Sequence, residues 1–336
     1  MKYDIITFGS ASRDIFLTSK KFLIVGQKKF VTGKGLCLSL GSKIDIEDIF
    51  FFTGGGGTNT AATFSNLGFK TAFCGMVGEE SAGEDIINEL KNFKINTDFV
   101  LKTKKKTTNY SVVLSSGRKE RTILTYRGAA GELTEKDIPW TKLDTKWIYL
   151  APLSGKLAKL SEKIVNFAKQ KGIKIAMNPG NSQLYLPKAT IERILKKVDV
   201  LFLNQEEASI LTKIPYQKEK EIFSKLDKLV TGICIMTKGS QGVTVSDGEY
   251  LYKSGIINVK ATDWTGAGDS FAAGFLSGII NSKGNIEYGI QLGVANSAAC
   301  LLKLGAKNGL LKKGDIWKKV KVKKDPCLKT NECKKK

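Results

Sequence analysis

Between residues 147 and 236 the sequence repeats one rhythm: a short apolar segment, a polar or glycine-bearing turn, then a helical stretch. Residues 147–151, 173–177, 200–203 and 232–236 read as strands, with helices expected over 156–171 and 191–197. Strands joined by helices pair in parallel, and a parallel sheet must be covered on both faces. The rhythm is also present near the amino terminus, with strands expected over 3–9 and 71–77 and helices over 60–67 and 78–90. The expectation is therefore an α/β fold in three layers around a mainly parallel sheet.

Two stretches break the rhythm. Residues 15–52 and 107–127 alternate short β-like pieces with glycine and lysine and contain no convincing helix. They read as a small antiparallel β-sheet set over a pocket, a lid on a core made of 1–14, 53–106 and 128–311. Residues 312–336 are lysine-rich and are expected to form a final helix or a tail.

Composition narrows the chemistry. Histidine is absent, which removes Ser-His-Asp and Cys-His catalysis and the usual catalytic zinc sites. The formal charge is +22, with lysine spread along the whole chain. No zinc module, recognition helix or aromatic strand motif accompanies that charge, so specific nucleic-acid binding is not expected; a general attraction for anions and phosphorylated molecules is. Cys37, Cys74, Cys234 and Cys300 lie in apolar or small-residue surroundings and read as buried thiols. With no signal-peptide pattern at the start and no apolar run long enough to cross a bilayer, a cytoplasmic, membrane-free protein is expected.

Two glycine-rich turns carry the chemistry. In 261–271 an apolar segment meets Thr265-Gly266-Ala267-Gly268-Asp269, and a long small-residue helix follows. Small residues there leave helix-start N–H groups open to an anion. Asp269 beside such a site would repel phosphate, unless its task is to take a proton from an attacking hydroxyl. In 50–62, Gly54-Gly55-Gly56-Gly57 lets backbone approach a ligand closely, and Asn59 can offer a donor and an acceptor to a hydroxyl. No Gly-Lys-Ser/Thr follows, so this is not a P-loop. Asp14 follows the first strand, where ligands of open α/β sheets collect, and a carboxylate suits paired hydroxyls. Asn204 and Glu207 are three apart at a helix start; a capping box accounts for them, and so does a magnesium-organising role for Glu207.

Gly55-Gly56-Gly57-Thr58-Asn59-Thr60-Ala61 with Leu67-Gly68, and Asp263-Trp264-Thr265-Gly266-Ala267-Gly268-Asp269, together resemble the two signatures of the ribokinase-like (PfkB) family of sugar and nucleoside kinases. Asn204 to Glu207 and Thr237-Lys238-Gly239-Ser240-Gln241-Gly242 follow in the expected order, and the resemblance covers residues 1 to about 310. It implies a ribokinase-like fold and transfer of a phosphoryl group from ATP to a hydroxyl. Asp269 would be the general base, with the backbone of Gly266, Ala267 and Gly268 as anion hole. Asp14, Gly56, Gly57 and Asn59 would hold the acceptor. Asn204, Thr237, Gly239, Gly242 and Asn296 would bind ATP, and Glu207 would reach Mg2+ through water. Asp263, Thr265 and Gly305 match a monovalent-cation site, implying potassium activation. In some relatives the β lid also makes a homodimer.

The departures from the family concern the acceptor. Trp264 replaces a small polar residue, and the lysine that ribokinases commonly carry in the first signature is missing. A free sugar is the expected acceptor. A nucleoside would call for lid aromatics such as Phe16, Phe22, Phe30 or Tyr110, and a sugar phosphate for Arg13, Lys34, Arg118 or Arg121. A nonenzymatic nucleotide- or nucleic-acid-binding protein on the same fold is the reading of another class; Asp269 argues against it.

Overall fold

The segment Thr71–Gly78 is buried at every position, which only a strand covered on both faces can be. The computed structural model of the protein describes residues 2–28, 30, 33–116 and 121–326. The chain enters the main sheet with β1 (Tyr3–Phe8) and leaves it for β2 (Ser12–Thr18), the hairpin β3 (Leu23–Gly26) and β4 (Lys34–Cys37), and β5 (Asp48–Gly54). It returns through α1 (Gly56–Asn66), β6 (Thr71–Gly78), α2 (Ser81–Asn92) and β7 (Val100–Thr103), then departs again for β8 (Asn109–Ser115) and β9 (Arg121–Tyr126). There follow β10 (Thr145–Leu150), α3 (Leu160–Gln170), β11 (Lys174–Met177), α4 (Asn181–Leu184), α5 (Lys188–Leu195), β12 (Val200–Asn204), α6 (Gln205–Thr212), α7 (Glu219–Leu229) and β13 (Ile233–Thr237). The last elements are β14 (Val243–Ser246), β15 (Tyr250–Ser254), α8 (Ala267–Asn281), α9 (Ile286–Cys300) and β16 (Val322–Pro326).

The main sheet runs β16-β15-β14-β13-β12-β11-β10-β1-β6-β7. It is parallel from β13 to β7 and antiparallel from β13 to β16. Successive side chains on a strand point to opposite faces. In β10 and β12, Ile148, Leu150, Leu201 and Leu203 join one core with Ile164 of α3, Ile194 of α5 and Phe223 of α7. Tyr149, Val200 and Phe202 join the other with Phe64 of α1, Phe275 of α8 and Ile290 of α9. This is a three-layer α/β architecture, as the strand-helix rhythm leads one to expect. The helix α7 escaped the sequence reading, although Ile222, Phe223 and Leu226 form its buried stripe at helical spacing.

The small sheet has the order β5-β2-β8-β9. Its outer pairs are antiparallel, but the central β2–β8 pair is parallel, so an all-antiparallel lid does not form. Among the described residues, β3 and β4 pair only with each other. β2 begins at Ser12, ahead of the expected boundary at 15, and Asp14 thus belongs to the small sheet rather than to the end of β1. After residue 311 the expected helix is absent among the described residues. Val320 and Val322 alternate with lysines and pack on the second core, and β16 pairs along the edge of β15. An open edge offers backbone partners that a short lysine-rich helix would lack, and lysines on the new edge discourage further pairing. Lys329, Lys334, Lys335, Lys336, Cys327 and Cys333 lie outside the described residues, as does Arg118. No helix among the described residues is long and apolar enough to cross a membrane.

Candidate active site

β1 leads to β6 and β7 on one side of the sheet, whereas its neighbour β10 leads to β11, β12 and β13 on the other. A crevice opens at the carboxyl ends of two strands whose connections diverge in this way. Helix α1 starts there, at Gly56, four residues before the expected start at 60. Gly57 N–H donates to Ser10 O at 3.2 Å, and Thr7 Oγ1 donates to Gly57 O at 3.0 Å. Gly56 and Gly57 therefore belong to the helix's first turn rather than to a preceding loop, and glycine lets that turn sit against the backbone of Gly9.

The second glycine turn meets the first. Gly266, at φ +78°, caps α8, and a Cβ there would stand 2.5 Å from Ala306 Cβ. The N–H groups of Ala267, Gly268 and Asp269 precede the first carbonyl that a helical bond can reach; Ala267 N–H makes one long bond, 3.4 Å, to Trp264 O. Asn59, in the first turn of α1, donates Nδ2–H to Asp269 Oδ2 at 2.8 Å. Its own Oδ1 is buried and has no hydrogen-bond partner among the described residues. A buried amide oxygen left bare costs about 1–3 kcal/mol, so something absent from the chain itself is suited to it. Burial pushes the Asp269 carboxyl above the ordinary carboxylate range, the Asn59 bond and the charge of Lys307 pull it back, and Asp14 adds to the rise.

Asp14, 6% exposed, reaches the crevice from the small sheet. Ser12 Oγ donates to its Oδ1 at 2.8 Å, and its other oxygen leans on Gly54, where a Cβ would come within 2.0 Å. Burial raises this carboxyl too, against the pull of Ser12 and Lys307. Lys307 was not anticipated. It is only 4% exposed, and its Nζ donates to Glu89 Oε2 at 2.7 Å and to Thr53 Oγ1 at 2.5 Å. Burial lowers its ammonium pKa, opposed by Glu89, Asp14 and Asp269. One buried cation therefore serves the field of both crevice carboxylates. Nothing in Gly305-Ala306-Lys307 separates this lysine from the many others in the chain.

Asn204 and Glu207 form a capping box on α6: Asn204 N–H donates to Glu207 Oε2 and Glu207 N–H to Asn204 Oδ1, both at 2.8 Å. Glu207 nonetheless feels the crevice. Burial raises its carboxyl, the Asn204 backbone bond lowers it, and the charges of Glu206 and Asp269 raise it further. The Asn178 side chain bonds this carboxylate as well, and a single carboxylate suits magnesium, which takes most of its ligands from phosphates and water. Next to the first turn of α8 lies a cavity of about 620 Å³, lined by Thr237, Gly239, Gly242, Trp264, Ala267 and Gly268 among others. It is open enough for a nucleotide, and Trp264 forms part of its wall. Asn296 does not line it. That side chain is fully buried, donating to Ser270 O at 2.7 Å and accepting from Leu311 N–H at 2.9 Å, so it braces α8 from behind; its neighbours Ser297 and Ala298 face the cavity.

Asp263, Thr265 and Gly305 do assemble, but not as a cation site. Asp263 Oδ1 accepts from Thr265 N–H at 3.0 Å and from Thr265 Oγ1 at 2.8 Å, and Oδ2 accepts from Gly305 N–H at 3.1 Å. Arg121 Nη1 donates to the same Asp263 Oδ1 and to Thr265 Oγ1, the latter at 2.8 Å. A bound cation needs oxygen lone pairs converging on it; here donors occupy them, and Gly305 contributes an N–H. With Arg121 in place, the side-chain oxygens of Asp263 and Thr265 are turned to protein donors and not to a potassium ion.

Similarity to known proteins agrees with this geometry. The chain is 31% identical over 281 residues to ribokinase from Lactococcus lactis subsp. lactis, spanning 82% of this chain and 88% of that one. The structure of Arabidopsis thaliana ribokinase complexed with ribose and ATP superposes with a TM-score of 0.76 at 22% identity, covering 93% of this chain and 96% of that one. A nucleoside kinase from Methanocaldococcus jannaschii, an archaeal member of the ribokinase family, gives 0.74 at 21% identity, covering 92% and 95%. The family model described as pfkB family carbohydrate kinase matches residues 6–313. With both glycine turns joined through Asn59 and Asp269 at one crevice, the chain belongs to the pfkB carbohydrate kinase family.

Proposed function

We propose that this protein is an ATP-dependent kinase that transfers the γ-phosphoryl group to a hydroxyl of a small free sugar. The observation that carries the reading is Asn59, which holds Asp269 with one end of its amide and leaves a buried, unpartnered oxygen at the other. An acceptor hydroxyl donating to that oxygen would lie beside Asp269. There Asp269 takes the proton as the hydroxyl attacks, and the first-turn N–H groups of α8 stabilise charge on the transferred oxygens. Asp14 and the Gly56–Gly57 turn hold other hydroxyls of the acceptor. The nucleotide lies in the adjoining cavity against Thr237, Gly239 and Gly242. Glu207 would hold Mg2+ through water, the ion supplying charge neutralisation on the phosphate oxygens. Little covalent machinery is needed, so a chain without histidine can do this work.

The small sheet acts as the lid, excluding water that would otherwise compete as acceptor. A free sugar is favoured over a nucleoside because Phe16 and Phe22 are buried and Phe16 packs edge-on against Phe52, which leaves these rings committed to the protein. It is favoured over a sugar phosphate because Arg13 pairs with Asp85 and Arg121 with Asp263. Phe50, Phe51, Ile123 and Leu124 are exposed on the small sheet, and pairing of two lids would cover them in a homodimer. Cys37, Cys74, Cys234 and Cys300 are free thiols, in keeping with a cytoplasmic enzyme that draws on the ATP pool.

The test is Mg-ATP turnover with a panel of free sugars, sugar acids, sugar phosphates and nucleosides, alongside Asp269→Asn. One free sugar turned over well, with turnover lost by about 10²–10⁴ in the variant and nucleotide affinity little changed, is the expected result. Near-intact turnover by the variant removes Asp269 as base, and a clear preference for nucleosides removes the sugar.

A further inference from the structure

The arginine that takes the lone pairs of Asp263 does not come from the turn it holds. Arg121 opens β9, the edge strand of the small sheet, and its guanidinium crosses to the turn between residues 261 and 266, more than a hundred residues later in the chain. Asp263 is 4% exposed and makes no ion pair with any other described residue. A buried carboxylate without a counter-charge is costly, and breaking such a pair by removing one partner is strongly destabilising. The rest of the Asp263 carboxylate ties the same turn together through Thr265 and Gly305. Immediately after it come Gly266, packed on Ala306, and the N–H groups of Ala267 and Gly268 at the start of α8.

We propose that Arg121 is a positioning residue: a protein-borne cation that neutralises Asp263, sets the turn leading into the anion hole, and makes a bound monovalent cation unnecessary. The inference builds on the kinase reading, since the anion hole is its object. Its physical basis is separate, because it rests on which atoms occupy the lone pairs of Asp263. A planar guanidinium bridging Asp263 Oδ1 and Thr265 Oγ1 fixes two oxygens at once, with a direction that a spherical ion lacks. Removing the guanidinium would leave two side-chain oxygens converging on a space that was filled by a cation, and a small cation of the solvent could then enter it.

The experiment compares the full-length wild type, Arg121→Lys and Arg121→Ala, each in potassium chloride and in tetramethylammonium chloride at equal ionic strength. Calorimetric titration with Mg-AMPPNP gives nucleotide affinity, and thermal melting gives stability without any ligand. The wild type should bind the nucleotide equally in both salts, within twofold, and melt at the same temperature in both. Arg121→Ala should melt lower and bind at least tenfold more weakly in tetramethylammonium, with both properties recovering in potassium. Arg121→Lys, which retains the charge and protects the test against a variant that fails to fold, should fall between them and remain indifferent to potassium. A wild type whose affinity rises tenfold with potassium would overturn the proposal, as would an Arg121→Ala protein unchanged in both measurements. If the wild type bound no nucleotide, the kinase reading would fail by itself. The melting comparison would still decide the role of Arg121, because gain of potassium-dependent stability on its removal needs no nucleotide.

Discussion

Replacing Lys307 by Met tests whether one buried ammonium supports both the fold and the chemistry. The side chain is 4% exposed and loses bonds to Glu89 and Thr53, while Met fills nearly the same volume. Removing one partner of a fully buried pair costs about 3–5 kcal/mol. Here the Glu89 side chain keeps 30% of its surface in solvent, so water can take over part of its charge. A loss of about 2–3 kcal/mol is expected, which in a domain of this size lowers the melting temperature by on the order of 3–4 °C. The second effect is electrostatic. Burial raises the carboxyls of Asp269 and Asp14, and Lys307 holds both down. Without it each is raised further, so protonation of Asp269 begins at higher pH. A general base must be ionised, so the acid limb of kcat/KM should move to higher pH, and activity should be lost first on the acidic side. Differential scanning calorimetry and a pH profile with whichever acceptor is turned over measure the two effects. The double variant Lys307→Met/Glu89→Leu separates them: an apolar pair should recover much of the stability, and the acid limb should stay shifted. A single variant that melts with the wild type and keeps its acid limb would refute the reasoning.

Two further substitutions probe the crevice through backbone geometry. Gly54→Ala places a Cβ about where Asp14 Oδ2 stands, 2.0 Å away, so Asp14 must move. KM for the acceptor should rise about tenfold or more with nucleotide affinity unchanged, and equal steady-state kinetics would show that Asp14 does not hold the acceptor. Gly266→Ala combines φ +78° with a contact of 2.5 Å to Ala306, a strain of about 1–3 kcal/mol that displaces the anion-hole turn. Turnover should fall about 10²-fold, the scale of losing one anion-hole donor, and a fall confined to KM would contradict that assignment.

Much of this protein was legible because its signals are local. Strand-turn-helix order, apolar strands, and two glycine turns each followed by a helix are properties of consecutive residues. They led to the three-layer sheet and to the family, and they singled out Asp269 and Asn59, which meet across the crevice, and residues 237, 239 and 242, which line the neighbouring cavity. Local signals misled where one residue could serve two ends. Asn296 faces α8 instead of the cavity, because helical phase at the end of a buried helix is set by packing. The tail formed a strand because β15 left an edge open to it, and the sequence of the tail does not announce its partner.

What the sequence by itself determined is the architecture and the identity of the two turns, since periodicity and glycine spacing dictate backbone conformation residue by residue. What only the tertiary structure decided is which charges meet. Arg121 lies 142 positions from Asp263 and Lys307 lies 218 from Glu89, and no local pattern marks either pair. In so lysine-rich a chain, a functional cation differs from a solvated one only in being buried beside a carboxylate. Burial is a property of the assembled core, settled when distant strands and helices close over the same few atoms.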